Sequence, residues 1–294
     1  SQISGYGVSV LTDIAVYANV LSLKENKFYI TKLGKCLLED RVTQVNFHFI
    51  NDVCYQGAFY LKESILSGHA EGLKIFGDWA TIYEGLRQLP ENVQKSWFDF
   101  DNYYSDISFE EAIRILLRHK PATVYDVGAN TGKFGKMLLE MDKDVRLHCF
   151  DLPGQLELAR TNVANPERAS FTAMDILKDE NTLPQGADAV WMSQFLDCFS
   201  PERIIYILKK ATAALNDGGR VFILEPFINN QRSNPSALAL AGTSLYFTCM
   251  ANGYSKMYNQ YEFEAFIARA GLRLQEAHQG IGDFDYTLLE CVKA

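Results

Sequence analysis

The segment VYDVGANTGKFG, residues 124–135, constrains the fold of this 294-residue chain more than any other. Its pattern predicts a buried strand, a tight glycine turn and the first residues of a helix. Such a turn brings backbone N–H groups close to a ligand. Asp126, two residues before the first glycine, suits a cationic or polar ligand group such as an α-amino group better than a pyrophosphate.

Two phosphate-binding motifs do not fit this turn. A dinucleotide fingerprint requires glycines where Asn130 and Lys133 stand. A P-loop requires four residues between its glycines, whereas three residues separate Gly128 from Gly132. Neither a dinucleotide nor a nucleoside triphosphate is therefore the predicted ligand.

Strand and helix patterns alternate from residue 106 to the end of the chain, opening with a capping-box start at Ser108 for a helix that runs to about residue 119. We expect strands at 123–127, 145–150, 170–173, 187–195, 220–225, 272–277 and 286–292, with late helices at 237–251 and 260–270. The alternation predicts a parallel, doubly wound sheet. The last two strands are joined only by a turn at 280–283, so that pair is expected to be antiparallel.

Residues 1–105 predict a separate, mostly helical module. A helix over 6–21, a hairpin around 28–31 and a helix over 33–40 resemble part of a winged helix. The first 41 residues carry five Lys/Arg and four Asp/Glu, and this near neutrality disfavours DNA binding. We expect oligomerisation or a lid function instead. The aromatic-rich remainder, which ends at Tyr104, either packs between the domains or lines a pocket.

Composition narrows the classes of partner and compartment. A net charge of −8 repels the phosphate backbone of a nucleic acid, so it favours a small-molecule partner. No uninterrupted apolar run exceeds five residues, which excludes a membrane-spanning helix. The six cysteines contain no CxxC pair, so we expect reduced cytoplasmic thiols. The five histidines show no ligand spacing, and we expect no metal site.

Two further acids follow the next expected strands. Asp151 lies about 20 residues beyond the glycine turn, followed by Leu152, and at that spacing an acid accepts hydrogen bonds from ribose hydroxyls. Asp175 is placed to accept from an adenine amino group while Ile176 packs on the ring. Acids at consecutive strand ends meet at one edge of an open α/β sheet, where such sheets bind ligands.

From about Tyr6 onward the chain resembles the plant and bacterial small-molecule O-methyltransferases of the caffeate or hydroxyindole type. The matching motifs are DVGANTG, FDLP, Met174-Asp175, DGGRVFILE at 217–225 and the helix end at 262–272. The resemblance implies a Rossmann-like, seven-stranded class I methyltransferase domain at 106–294, S-adenosylmethionine as cofactor, and a homodimer formed through a winged-helix domain at 1–105. The cofactor contacts that we expect are Asp126, Gly128, Asn130, Gly132, Asp151, Leu152, Asp175, Ile176, Ser193 and Phe199.

The catalytic motif departs from that family. Its members usually carry ILHDWS, with His as general base, where this chain has FLDCFS at 195–200. Asp197 therefore stands at the base position. Met257 stands near the place of a second carboxylate, and of the usual acid/base group only Glu225 remains. The substrate contacts that we expect are Tyr104, Met192, Tyr246, Met250 and Met257.

The sequence leaves three possibilities open for the chemistry at Asp197. An unperturbed Asp, with a pKa of about 3.9, is a poor base for a phenol of pKa about 10 unless burial raises it. Asp197 either takes the proton in a buried site, or the nucleophile ionises easily, or methyl transfer has lapsed and the chain only binds the cofactor. Asp197 has a competing structural role as N-cap of the helix at Pro201, for which Ser200 is better placed. A winged-helix regulator that senses a nucleotide is a third class of function.

Overall fold

The computed structural model describes residues 3–105 and 108–294, and its packing divides the chain into two units. The smaller unit comprises Ser1–Tyr55 and Pro90–Tyr103, and the larger comprises Gln56–Leu89 and Tyr104–Ala294. This division differs from the expected boundary at 105/106, which adjoins residues outside the described part. Residues 56–89 belong to the larger unit because they pack on its helices.

Helices and strands are numbered in chain order. The α-helices are α1 Gly5–Tyr17, α2 Lys32–Glu39, α3 Arg41–His48, α4 Leu61–Ser67, α5 Ile82–Gly85, α6 Glu91–Ser105, α7 Phe109–Leu117, α8 Lys133–Met141, α9 Pro153–Val163, α10 Pro201–Ala214, α11 Asn234–Tyr246 and α12 Gln260–Arg269. The strands are β1 Leu21–Lys24, β2 Lys27–Ile30, β3 Thr123–Val127, β4 Arg146–Asp151, β5 Ala169–Ala173, β6 Ala187–Ser193, β7 Leu215–Pro226, β8 Leu272–Ile281 and β9 Tyr286–Lys293. None of these helices has the length and apolar character that crossing a membrane would require.

In the smaller unit, α1 is followed by the antiparallel hairpin β1–β2 and by α2 and α3. The expected helix over 6–21 is wrong at its end. Asn19 adopts a left-handed conformation with φ of 58°, which stops the helix, and Leu21 starts β1 by pairing with Ile30. Thr31 then caps α2 by accepting a hydrogen bond from the Gly34 N–H at 3.1 Å.

The larger unit is built on one seven-stranded sheet with the order β5-β4-β3-β6-β7-β9-β8. The five strands from β5 to β7 are parallel, and β9 and β8 pair antiparallel with their neighbours. The expected antiparallel last pair is confirmed, although β8 continues to Ile281, so the turn starts later than expected. The strand order reverses between β3 and β6, which are neighbours in the sheet although β4 and β5 lie between them in the chain. The carboxyl ends of strands at such a switch point form the crevice where open α/β sheets bind ligands.

Helices cover both faces of this sheet. One apolar core includes residues of α10 and α12, and the other includes residues of α7, α8 and α9. Trp191 of β6 is fully buried and stacks on Phe134 of α8 with ring centroids 4.2 Å apart. Burial on both faces explains the apolar run at residues 189–192 of β6.

Several helix boundaries differ from the expectation. Ser108 precedes α7 with a helical backbone and makes no side-chain cap, so the expected capping box is not formed there. A capping box is instead found at α12, where the Glu262 carboxylate accepts from the Asn259 N–H at 2.9 Å. The expected helix over 237–251 is α11 followed by a π-helical turn, Phe247–Ala251.

Candidate functional site

The turn after β3 depends on residues with a left-handed backbone. Gly128 has φ of 81°, and a Cβ on it would lie 2.4 Å from a carbon of the Phe195 ring. Gly132 has φ of 76° and lies against α9, where a Cβ would come within 3.0 Å of the Ala159 Cα. Asn130 between them has φ of 46°. Glycine is therefore required at 128 and 132 by both conformation and close contact.

Asp151 at the end of β4 fixes this turn. Its Oδ2 accepts a hydrogen bond from the Asn130 N–H at 2.7 Å, and its Oδ1 accepts from the Leu152 N–H at 2.6 Å. Burial raises the pKa of Asp151, and the two N–H donors act in the opposite direction. One carboxylate thus joins the ends of two adjacent strands.

Buried polar atoms without a hydrogen-bond partner gather at the carboxyl ends of three neighbouring strands. They are Asp126 Oδ2 in β3, Ser193 Oγ and Gln194 Nε2 at the end of β6, and Glu225 Oε2 in β7. Buried polar groups in native proteins are nearly always paired, and each exception requires an explanation. A polar ligand bound at this edge would supply the partners.

Asp126 is 2% exposed. Burial, and secondarily the neighbouring Asp151, raise the pKa of Asp126 to about 8. At pH 7 this carboxyl therefore holds a proton in the ligand-free protein. A cationic group brought next to it would favour the carboxylate and release that proton.

Asp197 and Glu225 form a buried pair of acids, 6% and 1% exposed. Glu225 Oε1 accepts hydrogen bonds from the N–H groups of Phe195 and Leu196 at 3.1 and 2.9 Å, so it holds the turn that carries Asp197. Burial, and then the adjacent Asp197, raise the pKa of Glu225 well above its ordinary value. The structure excludes Asp197 as the N-cap of α10, because Ser200 occupies that position.

Further groups lie around Asp197, and of these the sequence patterns did not identify Tyr83 and Asn252. The Tyr83 hydroxyl donates to Cys198 Sγ at 3.2 Å, and burial raises the pKa of both groups, with Asp197 contributing in each case. The buried Asn252 donates from Nδ2 to the Cys198 carbonyl at 2.9 Å. Tyr258 donates to the Phe199 carbonyl at 2.8 Å. Tyr83 lies more than a hundred residues before Asp197, and no local pattern marks it.

The remaining expected cofactor residues occupy the same edge of the sheet. Asp175 is partly buried, and its Oδ1 accepts from the Leu177 N–H at 3.0 Å, while Ile176 is buried in the core beside it. The Phe199 ring packs edge-on against Phe195 with centroids 4.9 Å apart. Leu152 is 45% exposed and is free to contact a ligand.

The expected substrate residues are not all alike in their surroundings. Met192 is fully buried in one of the two sheet cores. Met250 is also fully buried and lies against Gly57. Tyr246 and Met257 are each 8% exposed, and Tyr104 packs on Phe284 of the β8–β9 turn at 4.6 Å. Tyr246 interacts electrostatically with Tyr83, because it contributes to the raised pKa of the Tyr83 hydroxyl.

The expectation of no metal site stays a prediction, but the structure places one histidine among other potential metal ligands. Ligand atoms of Glu276, His278 and Glu290 lie within 4.8 Å of one another, so His278 does belong to a cluster of potential metal ligands. The spacing in the sequence did not show it because the cluster is assembled by pairing between β8 and β9.

Known protein families include one that matches most of this chain. The family model for the O-methyltransferase domain matches residues 59–273. The chain belongs to the O-methyltransferase domain family. Its sheet is the mixed sheet of the class I S-adenosylmethionine-dependent methyltransferase fold.

The relatives of this O-methyltransferase family member are distant. It is 24% identical over 223 residues to L-tyrosine C(3)-methyltransferase of Streptomyces lavendulae, a match over 74% of this chain and 60% of that protein. It is 21% identical to acetylserotonin O-methyltransferase of Gallus gallus, over 91% of this chain and 78% of that protein. The chain thus spans about three-fifths of the length of the first of these relatives.

Among solved structures, the fold is similar to an O-methyltransferase from neocarzinostatin biosynthesis crystallised with S-adenosylmethionine and 2-hydroxy-5-methyl naphthoic acid. The TM-score is 0.75 at 19% identity, with 99% of this chain and 86% of that chain covered. Human N-acetylserotonin methyltransferase in complex with S-adenosylmethionine gives a TM-score of 0.71 at 17% identity, over 100% and 84% of the two chains.

The close contact at Gly128 generates a prediction. We expect Gly128→Ala to lower the free energy of unfolding by about 2–4 kcal/mol, from backbone strain of about 1 kcal/mol plus the clash with Phe195. Gly218→Ala is the matched control, because Gly218 has φ of 75° with nothing within 4 Å of the added Cβ. Urea unfolding measures both variants, and equal losses would show that the contact with Phe195 adds nothing.

Proposed function

We propose that this chain is an S-adenosylmethionine-dependent methyltransferase that methylates a hydroxyl group of a small apolar or aromatic molecule. The observation that carries the proposal is the set of unpartnered buried polar atoms at the carboxyl ends of β3, β6 and β7. They accompany the glycine turn after β3, whose Asn130 N–H is held by Asp151. Family membership and the names of the relatives support the same activity.

The residues present fit the cofactor. In our proposal Asp126 accepts from its α-amino group, and Gly128, Asn130 and Gly132 line its path with backbone. Asp175 and Ile176 then take the adenine ring, which leaves Ser193 and Phe199 beside the sulfonium end. An ammonium beside Asp126 would compensate a carboxylate whose pKa is raised to about 8 by burial and by Asp151.

Asp151 has a constrained role in this arrangement. Both of its oxygens already accept backbone hydrogen bonds, from Asn130 and Leu152. Each carboxylate oxygen has a second lone pair, so Asp151 remains able to accept from two ribose hydroxyls. Its position between two strand ends would then couple cofactor binding to the shape of the glycine turn.

The bound cofactor supplies an electrophilic methyl group, and the chain's own residues prepare the acceptor. Asp197 is buried beside Glu225, and burial, followed by the adjacent Asp197, raises the pKa of Glu225 well above its ordinary value. We assign the base or substrate-orienting role to Asp197 and the positioning role to Glu225, which holds the 195–197 backbone through Oε1. Positioning alone supplies up to about 7–11 kcal/mol in well-aligned systems, so a weak base suffices if the acceptor hydroxyl is held in line.

An aromatic acceptor is the substrate class that we infer. Phe195, Phe199, Tyr83 and Tyr246 bring aromatic rings to the Asp197 turn. The relatives named for acetylserotonin and for L-tyrosine act on aromatic molecules. Relatives that are named as C- and N-methyltransferases show that the family does not fix the acceptor atom.

The alternative is a protein that binds S-adenosylmethionine without methyl transfer. The specific observation in its favour is the replacement of the usual His by Asp197, together with Met257 near the place of the second carboxylate. Incubation with labelled cofactor and a panel of phenols and hydroxynaphthoic acids separates the two. Formation of S-adenosylhomocysteine with a methylated product supports the enzyme, whereas cofactor binding without any product supports the alternative.

The role of Asp197 is tested by Asp197→Asn. We expect turnover of the best acceptor to fall by about 10²- to 10⁴-fold, because general-base assistance is lost. The dissociation constant for S-adenosylhomocysteine should stay within about threefold by calorimetry. Asp179→Asn, an exposed acid, is the control and should keep full turnover. Unchanged turnover in Asp197→Asn would remove Asp197 from the mechanism.

The raised pKa of Asp126 gives a second test. At pH 7 its carboxyl is mostly protonated in the free protein, and a bound ammonium lowers that pKa, so binding should release close to one proton. Calorimetry of S-adenosylhomocysteine binding in two buffers of different ionisation enthalpy measures this number. Asp126→Asn corrects for protons released by the ligand itself and should release correspondingly fewer. Equal proton release in both proteins would contradict the assignment.

The sign of the stability change follows from the same shift. The folded-state pKa of Asp126 lies above its unfolded value, so the folded protein binds more protons than the unfolded chain between about pH 4 and 8. Asp126 therefore makes the free protein less stable as the pH rises through this range. Asp126→Asn should flatten this dependence in urea unfolding while it weakens cofactor binding.

We further propose a homodimer formed through the smaller unit. Helix α1 buries none of its residues, and Tyr6, Ile14 and Tyr17 on it are 82%, 63% and 92% exposed. These side chains, with Val10, recur at intervals of three or four residues and form one apolar stripe. A stripe of this kind, exposed to water, is typical of a protein interface. The role of residues 1–105 as a winged-helix dimerisation module rests on this stripe and on the order of the elements.

The test of the dimer is the double variant Val10→Glu with Ile14→Glu. We expect it to lower the molar mass in light scattering from that of two chains to that of one, because two buried charges would oppose association. Lys24→Glu changes an exposed charge on β1 of the same unit, outside the stripe, and should leave the dimer intact. A wild-type mass of one chain would contradict the dimer directly.

A further inference from the structure

A cluster of potential metal ligands lies on the outer hairpin of the sheet, apart from the residues assigned to the cofactor. Glu276 and His278 are two residues apart in β8, so their side chains share one face of the strand. The register pairs Glu276 with Glu290 of β9, which brings the third side chain next to them. The hairpin thus gathers an imidazole and two carboxylates from residues far apart in sequence.

The distances within the cluster are unusual for hydrogen bonds. His278 Nδ1 lies 3.6 Å from Glu276 Oε1, and His278 Nε2 lies 3.7 Å from Glu290 Oε2. Both separations are longer than a hydrogen bond. A tetrahedral ion with bonds of about 2.0–2.2 Å holds its ligand atoms about 3.4 Å apart, and the separation of Nε2 from Glu290 Oε2 is close to that distance. Glu276 lies at the opposite ring nitrogen, Nδ1.

His278 Nε2 supports this interpretation independently. The atom is buried and has no hydrogen-bond partner, although the side chain retains 12% of its exposure. An unpaired imidazole nitrogen in the interior is costly. A metal ion at Nε2 would use its lone pair, and Glu276 would have to turn its exposed side chain from the Nδ1 side of the ring to reach that ion.

Glu290 is held in place as metal-ligating carboxylates usually are. It is 3% exposed, Arg220 Nε donates to its Oε1 at 2.7 Å, and His119 Nε2 lies 3.1 Å from its Oε2. Because each carboxylate oxygen has two lone pairs, Oε2 can accept from His119 and still bind an ion. Arg220 and His119 then serve as the outer partners that fix a ligand's orientation.

We propose that Glu276, His278 and Glu290 bind a first-row divalent metal ion such as Zn²⁺, with water completing the coordination. Ligand atoms of the three residues already lie within 4.8 Å of one another. Glu276 has a side chain that is 62% exposed, so it is free to rotate and close the remaining gap. One imidazole and two carboxylates match the nitrogen and oxygen ligands that zinc accepts. The ion would join the edge strand β8 to β9.

The experiment uses the full chain and cobalt(II) or zinc(II) salts alone. We expect calorimetry to show one Zn²⁺ per chain, and Co²⁺ to give a visible spectrum without the charge-transfer absorption of cobalt–thiolate bonds. His278→Gln should weaken binding by at least about tenfold, and Glu276→Gln, an exposed and structurally mild change, should weaken it in the same direction. His69→Gln, an exposed histidine outside the cluster, is the matched control and should bind as the wild type does.

The proposal also predicts stabilisation by the metal. Saturating Zn²⁺ should raise the Tm of the wild type and of His69→Gln but not that of His278→Gln, because only a folded hairpin presents the three ligands together. Equal affinity of the wild type and both cluster variants would overturn the site, as would a cobalt–thiolate spectrum. Binding of S-adenosylhomocysteine, measured separately, does not depend on the outcome.

Discussion

Burial of carboxylates at the carboxyl edge of the sheet is the constraint on which the rest of the structure depends. Asp126 and Glu225 are almost fully enclosed, and each has an oxygen without a partner. Burying an uncompensated polar group is unfavourable, so these side chains reduce the stability of the free protein. In our proposal a bound ligand completes the interactions of these side chains.

The same constraint acts on the two buried acids Asp197 and Glu225. Glu225 lies deeper, and its raised pKa follows first from burial and then from the adjacent Asp197. Its Oε1 accepts two backbone hydrogen bonds from the 195–196 turn, so Glu225 also holds the backbone that leads to Asp197. Environment rather than residue type therefore sets the pKa of Glu225.

The local patterns predicted much of the larger unit because they report on single elements. Alternating strands and helices gave the parallel sheet, and the short final connection gave its antiparallel pair. The predictions were wrong where a tertiary contact or a single backbone conformation sets the end of a helix. Asn19 ends α1 earlier than expected, and Ser108 makes no side-chain cap at α7. The assignment of residues 56–89 to the larger unit was also beyond local patterns, since it depends on packing with distant helices.

By itself the sequence determined the glycine turn, the acids that follow successive strands and the replacement of the usual histidine by Asp197. These features are local, because backbone conformation and strand ends are set by neighbours in the chain. Only the tertiary structure decided that Tyr83 and Asn252 adjoin the Asp197 turn, and that His278 meets Glu290. Such contacts join residues that are far apart in the chain, or they depend on the register of two strands. A pattern of a few neighbouring residues carries no information about which distant residues come together.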